Sequence, residues 1–231
     1  MRDALDRYYT PNGLARTLTE ILEIGPPRVV VEPSCGPGAF IRAARARWPR
    51  ALVLGIDLDP DLQADDPPPI RGDFLTTDLG IVPDLVLGNP PFALGRQFVL
   101  RSLEILRPGG VCAFLLPATI GHLRGWSEIQ LPSVEIPLIG RPSFLAPSGA
   151  RTEGSAGFDG PKERGGSART EYSFFAWVAG EIPSQTLREP GLIWRQDHPT
   201  RAGRNPAQTK APGRVSVTGA GVEASHHEES T

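Results

Sequence analysis

Apolar runs of strand length alternate with amphipathic segments along the first half of the chain. The strand-like runs are, in order, "RVVVEP", "ALVLGID", the short "RGDFL", "PDLVLGN" and "VCAFLLP", and the main helical patterns are "AFIRAARARW" and "QFVLRSLEIL". Connections of this length between such strands are crossovers that keep neighbouring strands parallel. The alternation therefore predicts an α/β fold, in which a mostly parallel, doubly wound sheet is covered by helices on both faces.

Two later apolar runs, "VEIPLIG" and "EYSFFAWVAG", predict an antiparallel hairpin at the C-terminal side of the sheet. The segment between them is rich in Gly, Ser and charge, so we expect a mobile loop over about residues 146–169. No amphipathic pattern continues beyond that hairpin and the short segment "LREPGLIWR" that follows it. The sequence thus predicts one domain over residues 1–195 and a disordered tail over residues 196–231.

Composition excludes several classes of protein. The net charge is -2 over 231 residues, so the chain as a whole is not a polycation. No apolar run approaches the roughly 18 residues of a membrane span, and the N-terminus lacks a signal-peptide core. Cys35 and Cys112 have no metal-ligand spacing. We therefore expect reduced thiols, no metal site, no membrane partner and a cytoplasmic location.

A glycine-rich turn follows the first of these strands. In "VVVEPSCGPGAF", Gly36 and Gly38 lie between a strand and a helix, where a ligand can approach bare backbone at a helix N-terminus. The dinucleotide fingerprint needs a third glycine, and Ile41 occupies that position. Alone, the loop is compatible with NAD, a nucleotide or S-adenosylmethionine.

Acids at three successive strand ends narrow the choice. Glu32 directly precedes the glycine turn, where it would repel a pyrophosphate and favour a cationic ligand. Asp57 ends the second strand, where a carboxylate can accept both ribose hydroxyls. Asp73 ends the third, in "GDF", where it could accept an adenine amine while Phe74 packs on the ring. Each acid could also cap a turn, but three on one sheet edge favour a ligand site.

The stretch "PDLVLGNPPFAL" ends the fourth strand on a stiff turn, because proline fixes its own φ and restricts the residue before it. A ring-conjugated amine is a poor nucleophile, and two acceptors around its N–H groups would aim its lone pair at a methyl group. We expect the Asn89 side-chain carbonyl and the Pro90 main-chain carbonyl to be those acceptors, held by the rigid Pro90-Pro91 unit. Phe92 offers a face for ring stacking, worth about 1–3 kcal/mol per base.

These motifs resemble those of S-adenosylmethionine-dependent amino-methyltransferases. "NPPF" resembles their Asn-Pro-Pro-Tyr/Phe motif, and "VVVEPSCGPGAF", "GIDLDP" and "GDFL" look like their first three motifs. "YYTP" resembles the segment before the first motif in the N6-adenine DNA methyltransferases. The resemblance implies a Rossmann-like, seven-stranded methyltransferase sheet, S-adenosyl-L-methionine as cofactor, and direct in-line methyl transfer to N6 of a flipped adenine in DNA.

The resemblance also implies roles for individual residues. The catalytic set comprises Asn89, Pro90, Pro91 and Phe92. The cofactor-binding set comprises Tyr9, Thr10, Pro11, Glu32, Ser34, Gly36, Gly38, Asp57, Asp73, Phe74 and Asn89.

The later part of the chain resembles a phage-type subgroup, in which an Arg-Pro-Ser-Phe segment and a Gly-rich loop precede an aromatic strand. Here these are "RPSF" and "TEYSFFAWV", although Phe174 replaces the subgroup's Trp. Strand side chains alternate, so Tyr172 and Phe174 share one face. We expect Tyr172 first, and Phe174 second, to grip the flipped base opposite Phe92. No segment resembles a separate target-recognition domain, so discrimination would come from the loop or a partner, or be weak.

Several alternatives are open at this point. RNA is a possible target, since stacking plus a polar clamp also suits an RNA base. Glutamine methyltransferases of release factors carry the same motif but normally have an additional helical N-terminal domain. A silent cofactor- or nucleic-acid-binding module would not need an intact "NPPF", and a nicotinamide dehydrogenase conflicts with Glu32 and the missing glycine. The favoured partner is a nucleic acid, with DNA ahead of RNA.

Overall fold

The computed structural model describes residues 9–59, 62, 68–122, 126, 129–139, 144, 171–183, 185–188, 192–193 and 215–217. The α-helices in this part are α1 (Asn12–Ile21), α2 (Ala39–Arg47) and α3 (Gly95–Ile105). Two 3-10 helices cover Phe92–Leu94 and Ala118–His122. The strands are β1 (Leu22–Glu23), β2 (Val29–Glu32), β3 (Leu52–Asp57), β4 (Ile70–Arg71), β5 (Leu85–Gly88), β6 (Val111–Pro117), β7 (Val134–Ile139), β8 (Tyr172–Val178), β9 (Leu187–Arg188), β10 (Leu192–Ile193) and β11 (Val215–Ser216).

Seven strands form the body of the sheet, side by side in the order β7-β8-β6-β5-β2-β3-β4. β8 runs antiparallel to β6 and β7, and the other neighbours in this row pair in parallel. The short strands β9 and β10 pair in parallel with β7 at the edge. The predicted seven-stranded, mostly parallel sheet with a C-terminal antiparallel hairpin is confirmed, with β8 inserted between β6 and β7.

The two faces of the sheet carry separate hydrophobic cores. Tyr172 and Phe174 of β8 belong to the core that α1 and α2 cover. Phe175 and Trp177, their neighbours in the chain, belong to the core that α3 covers. This alternation follows from the two-residue period of a strand, and it confirms the doubly wound α/β architecture. No helix in the described part of the chain has both the length and the apolar character needed to cross a membrane.

A buried carboxylate fixes the opposite edge of the sheet, where β2 and β5 begin. Asp84 accepts hydrogen bonds from the Arg28 and Val29 amides, at 2.8 and 2.9 Å, and from the Arg107 guanidinium. Burial alone would raise the pKa of Asp84, but the hydrogen bonds from Arg107 and the two amides outweigh it, and the pKa is lowered. Asp84 therefore joins the start of β2 to the connection that leads into β6.

The C-terminal region contributes a strand that the sequence did not reveal. β11 pairs in parallel with β1, the Val217 amide donates to the Glu23 carbonyl at 2.8 Å, and Val217 is buried. Residues 215–217 lie within the predicted tail, and "VSV" acquires its pairing from a strand that is remote in sequence. The rest of that predicted tail and the predicted mobile loop lie outside the described residues.

Replacing the buried carboxylate should destabilise the protein. We expect Asp84→Asn to lower the free energy of unfolding at pH 7 by about 1.5–3 kcal/mol, the scale of hydrogen bonds to charged groups. Because the folded pKa of Asp84 is lowered, this stabilisation is present above the unfolded value of about 3.9 and is lost as pH falls through the folded pKa. Urea denaturation from pH 7 down to about pH 3 would measure both effects.

Arg28→Ala is the matched control. Its side chain is 85% exposed and lies 3.9 Å from Asp84, so its removal should change the stability by less than about 0.5 kcal/mol. Equal losses in the two variants would contradict the role given to Asp84.

Candidate active site

One cleft opens at the carboxyl ends of β2 and β5. Two connections meet there: the glycine loop (residues 33–38), which follows β2, and the Asn-Pro-Pro turn (residues 89–91), which follows β5. β2 and β5 are parallel neighbours, with Val30 opposite Leu85, so their connections leave the sheet side by side. The residues that line the cleft are Tyr9, Thr10, Glu32, Ser34, Cys35, Gly36, Pro37, Ala39 and Asn89.

Six of the predicted cofactor-binding residues are thus brought together: Tyr9, Thr10, Glu32, Ser34, Gly36 and Asn89. Five others are not among the described residues that line the cleft: Pro11, Gly38, Asp57, Asp73 and Phe74. Pro11 and Gly38 directly precede α1 and α2, respectively. The roles of all eleven residues stay predictions.

The backbone of the glycine loop is shaped for close approach. Gly36 and Gly38 have positive φ angles of 48° and 83°, a region that side chains other than glycine's rarely adopt. A Cβ on Gly36 would lie 2.8 and 2.9 Å from two ring carbons of Tyr9. The Gly36 amide donates to Asp57 Oδ2 at 2.7 Å. The loop is therefore held between Tyr9 on one side and a strand-end carboxylate on the other.

Arg42, on the first turn of α2, fastens the glycine loop to the N-terminal segment. One of its guanidinium nitrogens donates to the Pro37 carbonyl at 2.6 Å, and the other donates to the Asn12 side chain at 2.7 Å. These two hydrogen bonds hold the segment with Tyr9 and Thr10, just before α1, against the glycine loop. Sequence reasoning missed Arg42, because no local pattern pairs it with Asn12.

Glu32 places a buried carboxylate in the wall of the cleft. It is 4% exposed and accepts a hydrogen bond from the Ile41 amide at 2.9 Å. Burial raises the pKa of Glu32 well above its usual value; the Ile41 amide lowers it, and the nearby Asp57 carboxylate raises it further. A cationic ligand would offset both burial and this repulsion, whereas a phosphate would add to it.

The other two acids lie at or near strand ends, as predicted. Asp57 is the last residue of β3, and its Oδ1 accepts from the Asp59 amide at 2.9 Å. Asp73 lies two residues beyond β4 and accepts from the Leu75 amide at 3.0 Å. Phe74 is buried, with its ring centroid 5.2 Å from that of Phe98. Phe74 is therefore packed in the core that α3 covers.

The Asn-Pro-Pro turn connects β5 to the 3-10 helix that leads into α3. Asn89 is half-buried beside the glycine loop, and Pro90 is buried. The Pro91 carbonyl accepts from the Leu94 amide at 2.9 Å, which closes the first turn of the 3-10 helix. The half-buried Phe92 is thereby placed directly after the turn, at the carboxyl edge of the sheet.

Phe92 contacts a pair of buried aromatic rings, so that the three form one cluster. Its ring centroid lies 5.4 Å from that of Tyr172 and 6.1 Å from that of Phe144. Phe144 and Tyr172 meet edge to face at 5.3 Å. The predicted partners Phe92 and Tyr172 are therefore adjacent, and a base could enter between them only if one ring moved. Phe174 is fully buried in the core that α1 and α2 cover.

Phe144 was not singled out by the sequence reasoning, although "RPSF" was noted as a motif. Its position in that motif is the feature that could have revealed it.

Three curated proteins of similar sequence are methyltransferases or methylases by name. The type II methyltransferase M.TthHB8I of Thermus thermophilus is 30% identical over 187 residues, which cover 65% of this chain and 40% of the relative. The modification methylase CviBIII of Paramecium bursaria Chlorella virus NC1A is 29% identical over 153 residues, covering 53% and 40%. A trans-aconitate 2-methyltransferase of Rhodopseudomonas palustris is 30% identical over 118 residues, covering 47% and 46%. No protein-family model matches the sequence.

Solved structures give the same fold. A protein of Listeria monocytogenes assigned to the class I S-adenosylmethionine-dependent methyltransferases superposes with a TM-score of 0.54 at 13% identity, covering 82% of this chain and 67% of that one. The M protein of the type I restriction enzyme EcoKI superposes with a TM-score of 0.51 at 16% identity, covering 77% and 45%. The chain has the fold of the class I methyltransferases. The class I fold and the named relatives confirm the predicted resemblance to methyltransferases.

The matched regions are partial. The chain spans 40% of the length of each of the first two curated relatives. Both relatives therefore contain long segments that this chain does not match.

The contact between Gly36 and Tyr9 yields a stability test. Gly80 also has a positive φ, 59°, but a Cβ there would meet nothing within 4 Å. Gly80→Ala should therefore lower the free energy of unfolding only by the cost of a positive φ for alanine, about 1–2 kcal/mol. Gly36→Ala should lose about 1–3 kcal/mol more, the scale of overpacking, because its methyl group collides with the Tyr9 ring.

Urea denaturation of the two variants, and of Gly36→Ala in a Tyr9→Ala background, separates the cost of the positive φ from the cost of the collision with the Tyr9 ring. In that background Gly36→Ala should lose no more than Gly80→Ala does. If the Gly36 and Gly80 variants are equally stable with Tyr9 present, the ring does not rest on the loop.

Proposed function

We propose that this chain is an S-adenosylmethionine-dependent methyltransferase that acts on an exocyclic amine, with N6 of adenine in DNA as the target. The observation that carries the proposal is the juxtaposition of two connections in one cleft. The glycine loop with Glu32 is suited to a cationic cofactor, and the Asn-Pro-Pro turn with Phe92 is suited to an amine on a planar ring.

The chain's own groups fit that cofactor. Gly36 lines the cleft, and Glu32 provides a buried negative charge there. Asp57, bonded to the Gly36 amide, is the candidate ribose acceptor at the loop. Tyr9 and Thr10 close the cleft from the N-terminal side. When bound, S-adenosylmethionine supplies an electrophilic methyl group next to a positively charged sulfur.

The Asn-Pro-Pro turn orients the acceptor amine. The side-chain carbonyl of Asn89 and the main-chain carbonyl of Pro90 each accept an N–H of the amine, which draws the nitrogen lone pair out of conjugation with the ring. The same oxygens stabilise the positive charge that develops on the nitrogen as it is methylated. Positioning and electrostatics then account for the chemistry, without a covalent bond to the protein.

A planar base fits these groups better than a small carboxylic acid does. Trans-aconitate, which appears in the name of one relative, is a carboxylic acid and has no N–H to donate to Asn89. Phe92 offers a ring face beside the turn, and the target base must leave a duplex to reach it. The type II methyltransferase and the modification methylase among the relatives favour DNA. Transfer to RNA is the competing outcome of the assay below.

Labelled S-adenosylmethionine, incubated with the protein and with DNA, RNA or protein in turn, tests the proposal. Label should enter DNA. Asn89→Ala should lose about 10²-fold or more of the turnover, as oriented polar groups in active sites do, while calorimetry should show that it still binds S-adenosylhomocysteine. Near-normal turnover in Asn89→Ala would remove Asn89 from the mechanism, and label in RNA or protein alone would replace DNA as substrate.

Cofactor affinity should depend on pH through Glu32. A cation favours the ionised carboxylate, so binding should release a proton from Glu32 wherever the free protein holds it protonated. Because the pKa of Glu32 is raised, affinity should rise with pH towards that pKa and level off above it. Calorimetry of S-adenosylmethionine between about pH 5 and 7, below the usual range of its amino group, would measure this.

The Glu32→Gln variant should bind S-adenosylmethionine more weakly, and its affinity should not show this pH dependence. Glu104→Gln, which alters an exposed glutamate on α3, is the control and should behave like the unmodified protein. An unchanged slope in Glu32→Gln would show that another group binds the cation.

A further inference from the structure

Two connections that leave neighbouring strands are in direct contact within the cleft. Gly88, the last residue of β5, faces the end of β2: a Cβ placed on it would lie 3.4 Å from Glu32 Cγ and 3.5 Å from Pro33 Cδ. One residue further on, the two connections are joined by a hydrogen bond. The Ser34 hydroxyl of the glycine loop donates to the main-chain carbonyl of Asn89 in the Asn-Pro-Pro turn, at 3.3 Å.

We propose that Ser34 is a positioning residue that acts through Asn89, fixing the orientation of the Asn-Pro-Pro turn relative to the glycine loop. The inference rests on the proposed amine methylation and deepens it. It assigns to Ser34 a role towards the acceptor amine, in addition to the cofactor contact that the sequence resemblance implies.

The geometry of the turn shows why this one hydrogen bond matters. The direction of the Asn89 carbonyl is set by rotation about the Cα–C bond of Asn89. Beyond it, the φ angles of Pro90 and Pro91 are locked by their rings, and Pro90 is further restricted because it precedes a proline. Asn89 also precedes a proline, so its backbone is confined to extended conformations. Only limited rotation about the Cα–C bonds of Asn89 and Pro90 remains between the Asn89 side chain and the Pro90 carbonyl, and a hydrogen bond to the Asn89 carbonyl narrows the first of these rotations.

Those two groups are the proposed acceptors for the amine, so their relative orientation decides whether both N–H groups can be bound. Pro90 and Pro91 have no amide hydrogen with which to anchor the turn to its surroundings. The carbonyls of the turn can be anchored only by donors from outside these prolines, and the Ser34 hydroxyl is one such donor. Because Ser34 also lines the cleft, it couples the place where the cofactor would bind to the place where the amine would be held.

The expected effect is modest, because 3.3 Å is long for a hydroxyl donor. Ser34→Ala should lower kcat on the substrate found in the labelling assay by about three- to tenfold, which corresponds to a single neutral hydrogen bond. The dissociation constant for S-adenosylhomocysteine, measured by calorimetry, reports the cofactor contact of Ser34 separately from the loss of kcat. Ser34→Thr, which keeps the hydroxyl, should restore kcat.

A double-mutant cycle decides whether Ser34 acts through Asn89. In an Asn89→Ala background, Ser34→Ala should cause a clearly smaller further loss of kcat than it does alone, because the turn then has one acceptor fewer to align. A full, multiplicative loss in that background would overturn the inference. So would a Ser34→Ala variant with unchanged kcat and weakened S-adenosylhomocysteine binding, since Ser34 would then serve only the cofactor.

Two further outcomes are distinguishable from these. If the unmodified protein transfers no methyl group to any substrate, the proposed function fails before Ser34 is reached. If the thermal midpoint of Ser34→Ala falls and Ser34→Thr does not restore kcat, the residue is structural and the inference is wrong.

Discussion

The parallel pairing of β2 with β5 at the centre of the sheet places the glycine loop beside the Asn-Pro-Pro turn. Both connections leave the same edge, and the Ser34 hydroxyl joins them by donating to the Asn89 carbonyl at 3.3 Å. Without that pairing, a cofactor site and an amine-binding turn would be separate features. With it, they share one cleft, as expected where strand order reverses in a doubly wound sheet.

The carboxylates around the cleft then determine which kinds of ligand it can bind. Glu32 is buried and close to Asp57, and both the burial and the neighbouring carboxylate make Glu32 harder to ionise. Such an arrangement is unfavourable without a cation and favours a ligand that brings one. The same acids argue against the phosphate-bearing cofactors that use glycine loops on related sheets. The charge pattern therefore distinguishes between ligands that the fold alone would admit.

The sequence was most informative where structure is local. Apolar runs followed by an acid place Glu32 and Asp57 at strand ends, and the prolines place a rigid turn after β5. It was least informative about contacts between distant segments. The pairing of β11 with β1 and the packing of Phe144 against Tyr172 depend on tertiary structure, which no residue pattern encodes locally. The packing of Phe74 against Phe98 is a further contact of this kind.

The identity of the methylated atom tests this account most directly. DNA incubated with the protein and isotopically labelled S-adenosylmethionine would be digested to nucleosides and analysed by mass spectrometry. The account predicts label in N6-methyl-2′-deoxyadenosine, because the proposed role of Asn89 and Pro90 is to accept the N–H groups of an exocyclic amine. Label on a ring carbon, on an oxygen or on a phosphate would contradict it, since none of these presents an exocyclic amine to the turn.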